Sequence, residues 1–328
     1  MRTFIDSIET AVAAGFARLE RTCATDDRSL AWFRVFWGVF LLLFATPYVS
    51  WVARVPPGFF DPPRVSVAAF FDTFPPAPVF IGGDILLVTL ILAITLGVYT
   101  RVATWLFVFT HTVLFSFHYA FGKIDHEILL VAVTLCLGFT NWGARLALRP
   151  DRAWSPRVTR RALAIAGLAV AFGMATAAHE KIVRWVDFDL GTSGFLAWFY
   201  GGYLTLGRTY LAAPLVPHVP PGWFELADYA AVAFELGAGV ALWVGARAWR
   251  TWLLIACLFH LGNTALLNIP FLVHVPVYLM FLAVPAHWPE RVRWWDRPAW
   301  RAAAIAVPVA LWAAHVAQRL AGSGARTL

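Results

Sequence analysis

Ionisable and amide side chains stand inside or at the ends of strongly apolar segments at a small number of positions. They are His118, His126, Lys181, Glu235, His260 and Asn263, with Trp185 shortly after Lys181. A lysine in apolar surroundings can act as a base, because desolvation disfavours its ammonium form. A neutral histidine or an asparagine can donate a hydrogen bond to a developing oxyanion. These residue types therefore indicate proton abstraction with oxyanion stabilisation, in a site that excludes water.

The elements that must position these groups are long apolar helices. A stretch of roughly 18 or more apolar residues can cross the hydrocarbon core of a bilayer as a helix. The sequence predicts about nine such spans, of which the fourth and the eighth are short. They cover residues 30–51, 80–99, 102–120, 127–141, 160–179, 229–245, 251–268, 270–285 and 301–318. We expect the aromatic connection 182–228 to lie along the membrane surface and to form a lid.

The composition predicts an all-α integral membrane protein. Of the 328 residues, 60% are hydrophobic and only 14% are charged, whereas a typical soluble domain has about 25% charged residues. Many of the 17 tryptophans stand near the ends of apolar runs, as in the aromatic belts at membrane interfaces. The three cysteines are far apart, which indicates neither a disulfide framework nor a thiolate metal site. We therefore expect no metal and no separate soluble domain.

Lysine and arginine residues set the expected orientation. With the N-terminus in the cytoplasm, most of the 26 Lys and Arg residues fall in cytoplasmic loops, as the positive-inside rule predicts. Topology thus explains the net charge of +7, and we expect no nucleic-acid partner. Residues 1–28 contain acidic interruptions and too short an apolar run for a cleaved signal. We interpret them as an amphipathic, interfacial helix, followed by one transmembrane helical domain over residues 29–328.

In this topology the polar groups of four helices lie at one depth, near the outer leaflet. His260 and Asn263, three residues apart, share one helical face. Each group also has a structural interpretation, because a lysine at a helix end can extend its amine to the interface and a lone histidine can be a packing residue. Glu235 inside an apolar helix needs a partner or a proton, so we expect it to be buried and hydrogen-bonded. If Lys181 is a base, its amine should face inward, near His126 or His260.

Several short segments occur in an order typical of one membrane-protein family. They are Ser-Leu-Ala-Trp-Phe-Arg-Val-Phe-Trp-Gly at 29–38, Asp-His-Glu-Ile-Leu-Leu at 125–130, Ala-Ala-His-Glu-Lys-Ile at 177–182 with Trp-Val at 185–186, Phe-Glu-Leu at 234–236, Arg247, and Phe-His-Leu-Gly-Asn at 259–263. Together these segments resemble the HTTM family, the membrane domain shared by vitamin K-dependent gamma-glutamyl carboxylase and many bacterial homologues. The resemblance covers roughly residues 29–290.

The resemblance implies quinol-linked chemistry of the carboxylase type, which is a carbon–carbon lyase reaction. A lysine deprotonates the hydroquinone, oxygen adds, and the strong base that results removes a proton from carbon before CO2 adds. The expected cofactor is reduced vitamin K or menaquinol, with O2 and CO2 as co-substrates. The matching positions give Lys181, His126 and His260 as catalytic residues and His118, Asn263, Trp185 and Glu235 as cofactor-binding residues.

The resemblance also implies a location and partners. We expect a multi-pass protein of the bacterial inner membrane, with its site facing the periplasm or the exterior. Lipid and quinone are the expected partners, together with a protein or peptide substrate on the outer side. Ala178 stands where the carboxylase has a glycine. We expect no counterpart, after the ninth predicted span, of the large C-terminal region by which the carboxylase recognises its substrates, so the resemblance alone does not imply protein carboxylation.

Other functions fit the same scaffold. One alternative is a non-catalytic membrane protein, such as a toxin-immunity or partner-stabilising subunit, which the family also contains. A transporter or a DoxX-like redox partner is a further alternative, although the sequence does not display the paired discontinuous helices of many transporters. The distinguishing feature is whether Lys181, His126 and His260 surround one lipid-accessible pocket.

Overall fold

Helices account for the regular structure of this chain. The computed structural model describes residues 2–120, 128–271 and 273–288 and a few positions between 302 and 317. The helices are α1 Arg2–Thr22, α2 Asp27–Leu43, α3 Ala77–Leu96, α4 Thr100–His118, α5 Ile128–Leu137, α6 Pro156–Arg184, α7 Gly194–Tyr200, α8 Pro221–Val244, α9 Ala246–Leu267 and α10 His274–Tyr278. The described residues contain no β-strand, only an isolated bridge between Val98 and Arg149. The predicted all-α class is confirmed.

Four of these helices, α3, α6, α8 and α9, are long and apolar enough to cross a membrane, judged by length and composition. The chain is therefore a helical membrane protein. The predicted short fourth span corresponds to α5, which has 10 residues. The predicted eighth span contains the five-residue α10 and a 3-10 turn over Leu279–Phe281. The ninth lies largely outside the described residues, and the total of about nine spans stays a prediction.

The chain groups into two compact units. The first unit, called here the lysine unit, comprises residues 1–24 and 160–282, and the second, the arginine unit, comprises residues 25–159 and 283–328. The lysine unit thus contains α1, most of α6, and α7 to α10. The arginine unit contains α2 to α5. Helix α1 lies within the 1–28 segment for which an interfacial helix is predicted.

In the lysine unit, α8 and α9 form a helical hairpin, and α1 packs against both. Gly245 joins the two long helices with a φ of 140°, a conformation that only glycine adopts easily. The indole of Trp252 on α9 donates to the Phe234 carbonyl of α8 at 3.0 Å. Arg18 on α1 donates to the Val244 carbonyl and lies over the Trp243 ring. These hydrogen bonds fix α1, α8 and α9 relative to one another.

In the arginine unit, two aspartates fix the backbone at the start of α2 and after its end. The side chain of Asp26 caps α2 by accepting from the backbone N–H groups of Arg28 and Ser29. Asp84 of α3 is fully buried and accepts from the backbone of Val49 and Ser50 at 2.8 and 3.1 Å. Because a buried carboxylate needs hydrogen-bond donors, Asp84 holds the start of the 3-10 turn that follows α2.

Candidate functional site

The side chains of Lys181 and Glu235 form an ion pair in the lysine unit. Lys181 lies in the last turn of α6 and Glu235 near the middle of α8. On α6 the residues Met174, Ala178 and Lys181 are spaced by four and three positions, so they share one face, and the first two are buried. The amine of Lys181 is therefore directed to a carboxylate inside the helix bundle, not towards lipid headgroups.

The two members of this pair differ in accessibility. The Glu235 side chain is 3% exposed and that of Lys181 is 18% exposed. A carboxylate in an apolar helix is stable only with a partner or a proton, and the prediction that Glu235 is buried with a partner is confirmed. Only the lysine is open to a molecule that approaches the pair from outside.

Trp185 stands beside the amine. Its backbone N–H donates to the Lys181 carbonyl at 2.7 Å, which continues the helical pattern one turn beyond Lys181. The Lys181 Nζ lies 5.4 Å from the centroid of the indole ring. This distance is within the range of cation–π attraction. The indole therefore forms one apolar wall beside the accessible side of the amine.

A second polar group of the lysine unit is built around His260 of α9. Its Nε2 lies 2.8 Å from the hydroxyl of Tyr278 on α10, and both side chains are buried. The ring centroid of His274 lies 5.0 Å from that of His260. The Tyr278 hydroxyl also contacts the sulfur of Met174 at 3.8 Å. Tyr278 thus connects α9 to α6.

The position of Met174 on α6 locates the His260–Tyr278 pair relative to the Lys181–Glu235 pair. It precedes Lys181 by seven residues on the same face of α6, which corresponds to two helical turns or roughly 10 Å along the axis. The side chains of a helix lean towards its N-terminus, so Lys181 leans towards the Met174 end. The His260–Tyr278 pair and the Lys181–Glu235 pair therefore occupy one side of α6.

The remaining predicted site residues have varied positions. Asn263 is half-buried on α9, within one turn of His260. His118 ends α4 in the arginine unit, where its ring packs edge-on against Trp51 with 5.4 Å between centroids. His126 lies outside the described residues. The structure therefore brings Lys181, Trp185 and Glu235 together, while the predicted proximity of Lys181 to His126 or His260 stays a prediction.

Sequence reasoning missed Tyr278 and Met174. A tyrosine and a methionine in apolar segments are ordinary packing residues, and nothing in their spacing indicates a polar role. The segment after Asn268 contains one signal for Tyr278, since His274 and Tyr278 are four positions apart and so share a helical face. Polar groups spaced in this way in an apolar segment are worth testing as partners for the histidine of a neighbouring helix.

Acidic groups in the loop after α6 have ordinary structural roles. The backbone N–H of Asp189 and the hydroxyl of Thr192 both donate to Asp187, and these hydrogen bonds hold the pKa of the Asp187 carboxyl below its usual value. The Asp187 side chain is exposed. It therefore shapes the loop and does not supply a proton at neutral pH.

Comparisons with known proteins add no family. No family model, no curated protein and no solved structure matches this chain. The fold and the buried ion pair define the class as an all-helical membrane protein with a charged pair inside its helix bundle. The resemblance to the HTTM family remains a prediction from sequence.

Proposed function

We propose that this protein is a membrane-embedded enzyme in which Lys181 accepts a proton from a membrane quinol. The observation that carries the proposal is the asymmetry of the ion pair, in which the base is accessible and its acid is buried. An amine held in this way can meet an incoming hydroxyl group, while the carboxylate behind it is shielded. A lysine that served only as an interfacial anchor would have no need of a buried acid partner.

Glu235 has a defined part in this proposal. Two opposite charges in a medium of low dielectric are costly to desolvate, and transfer of a proton from the ammonium to the carboxylate leaves two neutral groups. Lys181 then presents a neutral amine to the substrate. When Lys181 takes the substrate proton at Nζ, Glu235 still holds the first proton, and the carboxylate forms again beside the ammonium only when one of the two protons leaves through the accessible side of Lys181 to water or product. The pair therefore stores and returns one proton at fixed atoms.

The surroundings of Lys181 suit a reduced quinone of the vitamin K or menaquinol type. The Trp185 indole offers an aromatic face beside the amine, and aromatic rings stack on such faces. A hydroquinone hydroxyl would meet the amine, and a bound quinol would supply the oxygen-dependent chemistry of the carboxylase family that the sequence resembles, with O2 and CO2 as co-substrates. We further propose His260 as an oxyanion donor, with its orientation fixed by Tyr278. His126, His118 and Asn263 stay candidates on the resemblance alone.

A second candidate function is a non-catalytic scaffold, such as an immunity or partner-stabilising subunit. The same ion pair favours it, because Lys181–Glu235 joins α6 to α8 and a charged pair of this kind can specify which helices pack together. In that case the pair contributes to assembly and no substrate approaches the amine. The two candidates predict opposite results for quinol turnover.

The location of this activity is part of the proposal. We propose about nine spans with the N-terminus in the cytoplasm, in the inner membrane of a bacterium, with the site facing the periplasm or the exterior. The excess of Lys and Arg in the loops assigned to the cytoplasm supports this orientation. Lipid and quinone are the proposed partners, together with a protein or peptide acceptor on the outer side.

The test is quinol-dependent oxygen uptake by the purified full chain in lipid nanodiscs, with menaquinol and reduced vitamin K as probes. The wild type should consume oxygen only when quinol is present, and mass spectrometry should find an oxygenated quinone product. Lys181→Met should lower turnover by about 100-fold or more, the usual contribution of a general base. Arg184→Met is the matched control, because Arg184 is an exposed cation one turn further along. Absence of turnover in the wild type with every quinol would support the scaffold.

A further inference from the structure

The connection between α5 and α6, in the arginine unit, carries exposed arginines that have no acidic partner. Arg149 and Arg152 are exposed there, and Arg157 is exposed in the first turn of α6. Within the described part of the chain, none of the three forms an ion pair with an acid. The acid between them, Asp151, accepts instead from the backbone N–H of Arg101 at 2.8 Å. The three guanidinium groups are therefore available to an anion from outside the protein.

Hydrogen bonds hold the backbone of this connection against the end of α3 and the start of α4. The N–H of Arg149 donates to the Gly97 carbonyl at 2.9 Å. The carbonyl of Arg152 accepts from the guanidinium of Arg101 at 2.6 Å. Arg149 and Arg152 thus extend from a fixed backbone, which lowers the entropy cost of binding a ligand. Because they are three positions apart, their Cα atoms lie within about 10 Å of each other, so one ligand can contact both side chains.

Two aromatic rings lie against arginines of this region. The guanidinium of Arg149 lies over the Tyr99 ring, 4.0 Å from its centroid, and donates to the Tyr99 hydroxyl. The guanidinium of Arg101 lies over the Trp154 ring at the same distance. Tyrosine and tryptophan are enriched at the depth of the lipid headgroups. The pattern therefore indicates that Arg149 lies at a membrane interface, where its remaining N–H groups can donate to a phosphate.

An exposed apolar face of α4 begins at the same place. Tyr99 immediately precedes the first residue of α4. Val102, Leu106 and Phe109 follow at spacings of four and three positions, so they share one face of the helix. All three side chains are exposed, and Phe109 is 67% exposed. Because exposed apolar patches of this kind mark contact with a membrane or a protein, the arginines and this face together fit a molecule with an anionic head and a hydrocarbon tail.

We propose that Arg149 and Arg152 bind the headgroup of an anionic phospholipid, with its acyl chains along the exposed face of α4 and with Arg157 adding to the attraction. Guanidinium groups bind phosphate oxygens through charge-assisted, often paired hydrogen bonds, and clustered arginines next to a membrane helix attract acidic lipids. The positive-inside rule requires only that charge is present in the loop, whereas this site requires it beside Tyr99 and α4. The inference does not depend on quinol chemistry, because it concerns residues of the other unit.

Thermal unfolding of the purified full chain in detergent tests the site. The probes are added phosphatidylglycerol, which is anionic, and phosphatidylcholine with the same acyl chains, which has no net charge. The unfolding midpoint should rise more with phosphatidylglycerol, by about 5 °C when this lipid reaches roughly 100 times its Kd. Arg149→Gln should lose most of this rise. Arg64→Gln changes an exposed arginine between α2 and α3, and as the matched control it should keep the rise.

Three outcomes would overturn the proposal. Equal midpoints of the wild type with the two lipids would show that no anionic headgroup is bound. An equal loss of the rise in Arg64→Gln would show that phosphatidylglycerol acts through the overall positive charge and not through this surface. A rise of the same size with inorganic phosphate alone would assign the arginines to free phosphate, without the apolar face. If Arg149→Gln does not fold, the two lipids on the wild type still decide, and Arg152→Gln, a change of an exposed side chain, replaces it.

Discussion

Arg34 and Lys181 are both cations placed within the protein, but the groups that receive their hydrogen bonds differ in kind. Arg34 of the arginine unit is 0% exposed and donates to the backbone carbonyls of Ile94, Thr95 and Leu146 at 2.7, 3.0 and 2.5 Å. Lys181 of the lysine unit pairs instead with the side chain of Glu235. A carbonyl cannot take a proton from a guanidinium, whereas a carboxylate can take one from an ammonium.

This difference separates a structural cation from a candidate for chemistry. The planar guanidinium can serve several carbonyls at once and stays charged, so Arg34 fixes the end of α3 against the loop at residues 145–147. Gly97 belongs to the same arrangement, since its φ of 71° and its close approach to Ala147 leave no room for a side chain. The Lys181–Glu235 pair instead joins two flexible side chains, and a proton can move from the Lys181 ammonium to the Glu235 carboxylate.

The largest effect is expected for Arg34→Met. The change removes the donor that the guanidinium supplies to the Thr95 and Leu146 carbonyls, whereas the Ile94 carbonyl keeps the Gly97 N–H, and we expect the free energy of unfolding to fall by about 3–5 kcal/mol. Chemical denaturation of the full chain in detergent measures it. Arg247→Met is the control, because Arg247 is exposed on α9, and its effect should stay within about 0.5 kcal/mol. Equal effects of both changes would mean that the carbonyls around Arg34 have other donors.

Glu235 should tolerate an amide better than a hydrocarbon. Glu235→Gln keeps an acceptor for the Lys181 amine, whereas Glu235→Leu leaves the half-buried ammonium of Lys181 without a partner. We expect the leucine variant to be less stable than the glutamine variant by about 2–3 kcal/mol. Unfolding midpoints of the two variants give the comparison. Near-wild-type midpoints for both variants would show that the Lys181–Glu235 pair contributes nothing to the stability of the fold. Glu235 would then no longer support the difference drawn between Lys181 and Arg34.

Tyr278→Phe should have a smaller effect. The ring stays in place, and only the hydroxyl that contacts His260 and Met174 is lost. We expect a loss of about 1 kcal/mol in the free energy of unfolding, together with a decrease in quinol turnover because His260 loses the group that orients it. An unchanged turnover at unchanged stability would assign the histidine to packing.

Asp26→Ala should have an effect as small as that of Tyr278→Phe, and this effect depends on pH. Burial acts to raise the pKa of Asp26, but hydrogen bonds from Ser29 and the charge of Arg28 outweigh burial and leave the pKa below its ordinary value. The carboxylate therefore stabilises the fold above its unfolded-state pKa, and this contribution disappears as pH falls through the folded-state pKa. We expect the variant to lose about 1 kcal/mol at neutral pH. A loss of the same size well below the folded-state pKa would contradict the capping role.

The two units also differ in how far the sequence could predict them. The predicted spans 80–99, 160–179 and 251–268 match α3, α6 and α9 because long apolar runs have few other stable structures in a membrane. The role of Arg34 could not be predicted in the same way. Its carbonyl partners lie 60 and 112 positions away in the chain. Because every residue has a backbone carbonyl, residue types do not indicate which carbonyls accept from Arg34.

The candidate site was predictable in part. An acid inside an apolar helix requires a partner, so the burial of Glu235 followed from its type and position. That the partner is Lys181 required the packing of α6 on α8, which the spacing of either helix alone does not specify. Glu225 and Asp228 of α8 are 0% and 1% exposed, but their types and spacing in the sequence do not distinguish burial from a solvated helix face. Their burial was visible only in three dimensions.

Lys181→Arg tests most directly whether the Lys181–Glu235 pair moves a proton. Arginine keeps the positive charge and can still pair with Glu235, but it does not deprotonate in proteins. Quinol-dependent turnover and the unfolding midpoint are measured on the same nanodisc sample of the variant and the wild type. The proposal predicts a midpoint close to that of the wild type with turnover lowered by about 100-fold or more. An arginine variant that turns over quinol at the wild-type rate would contradict it.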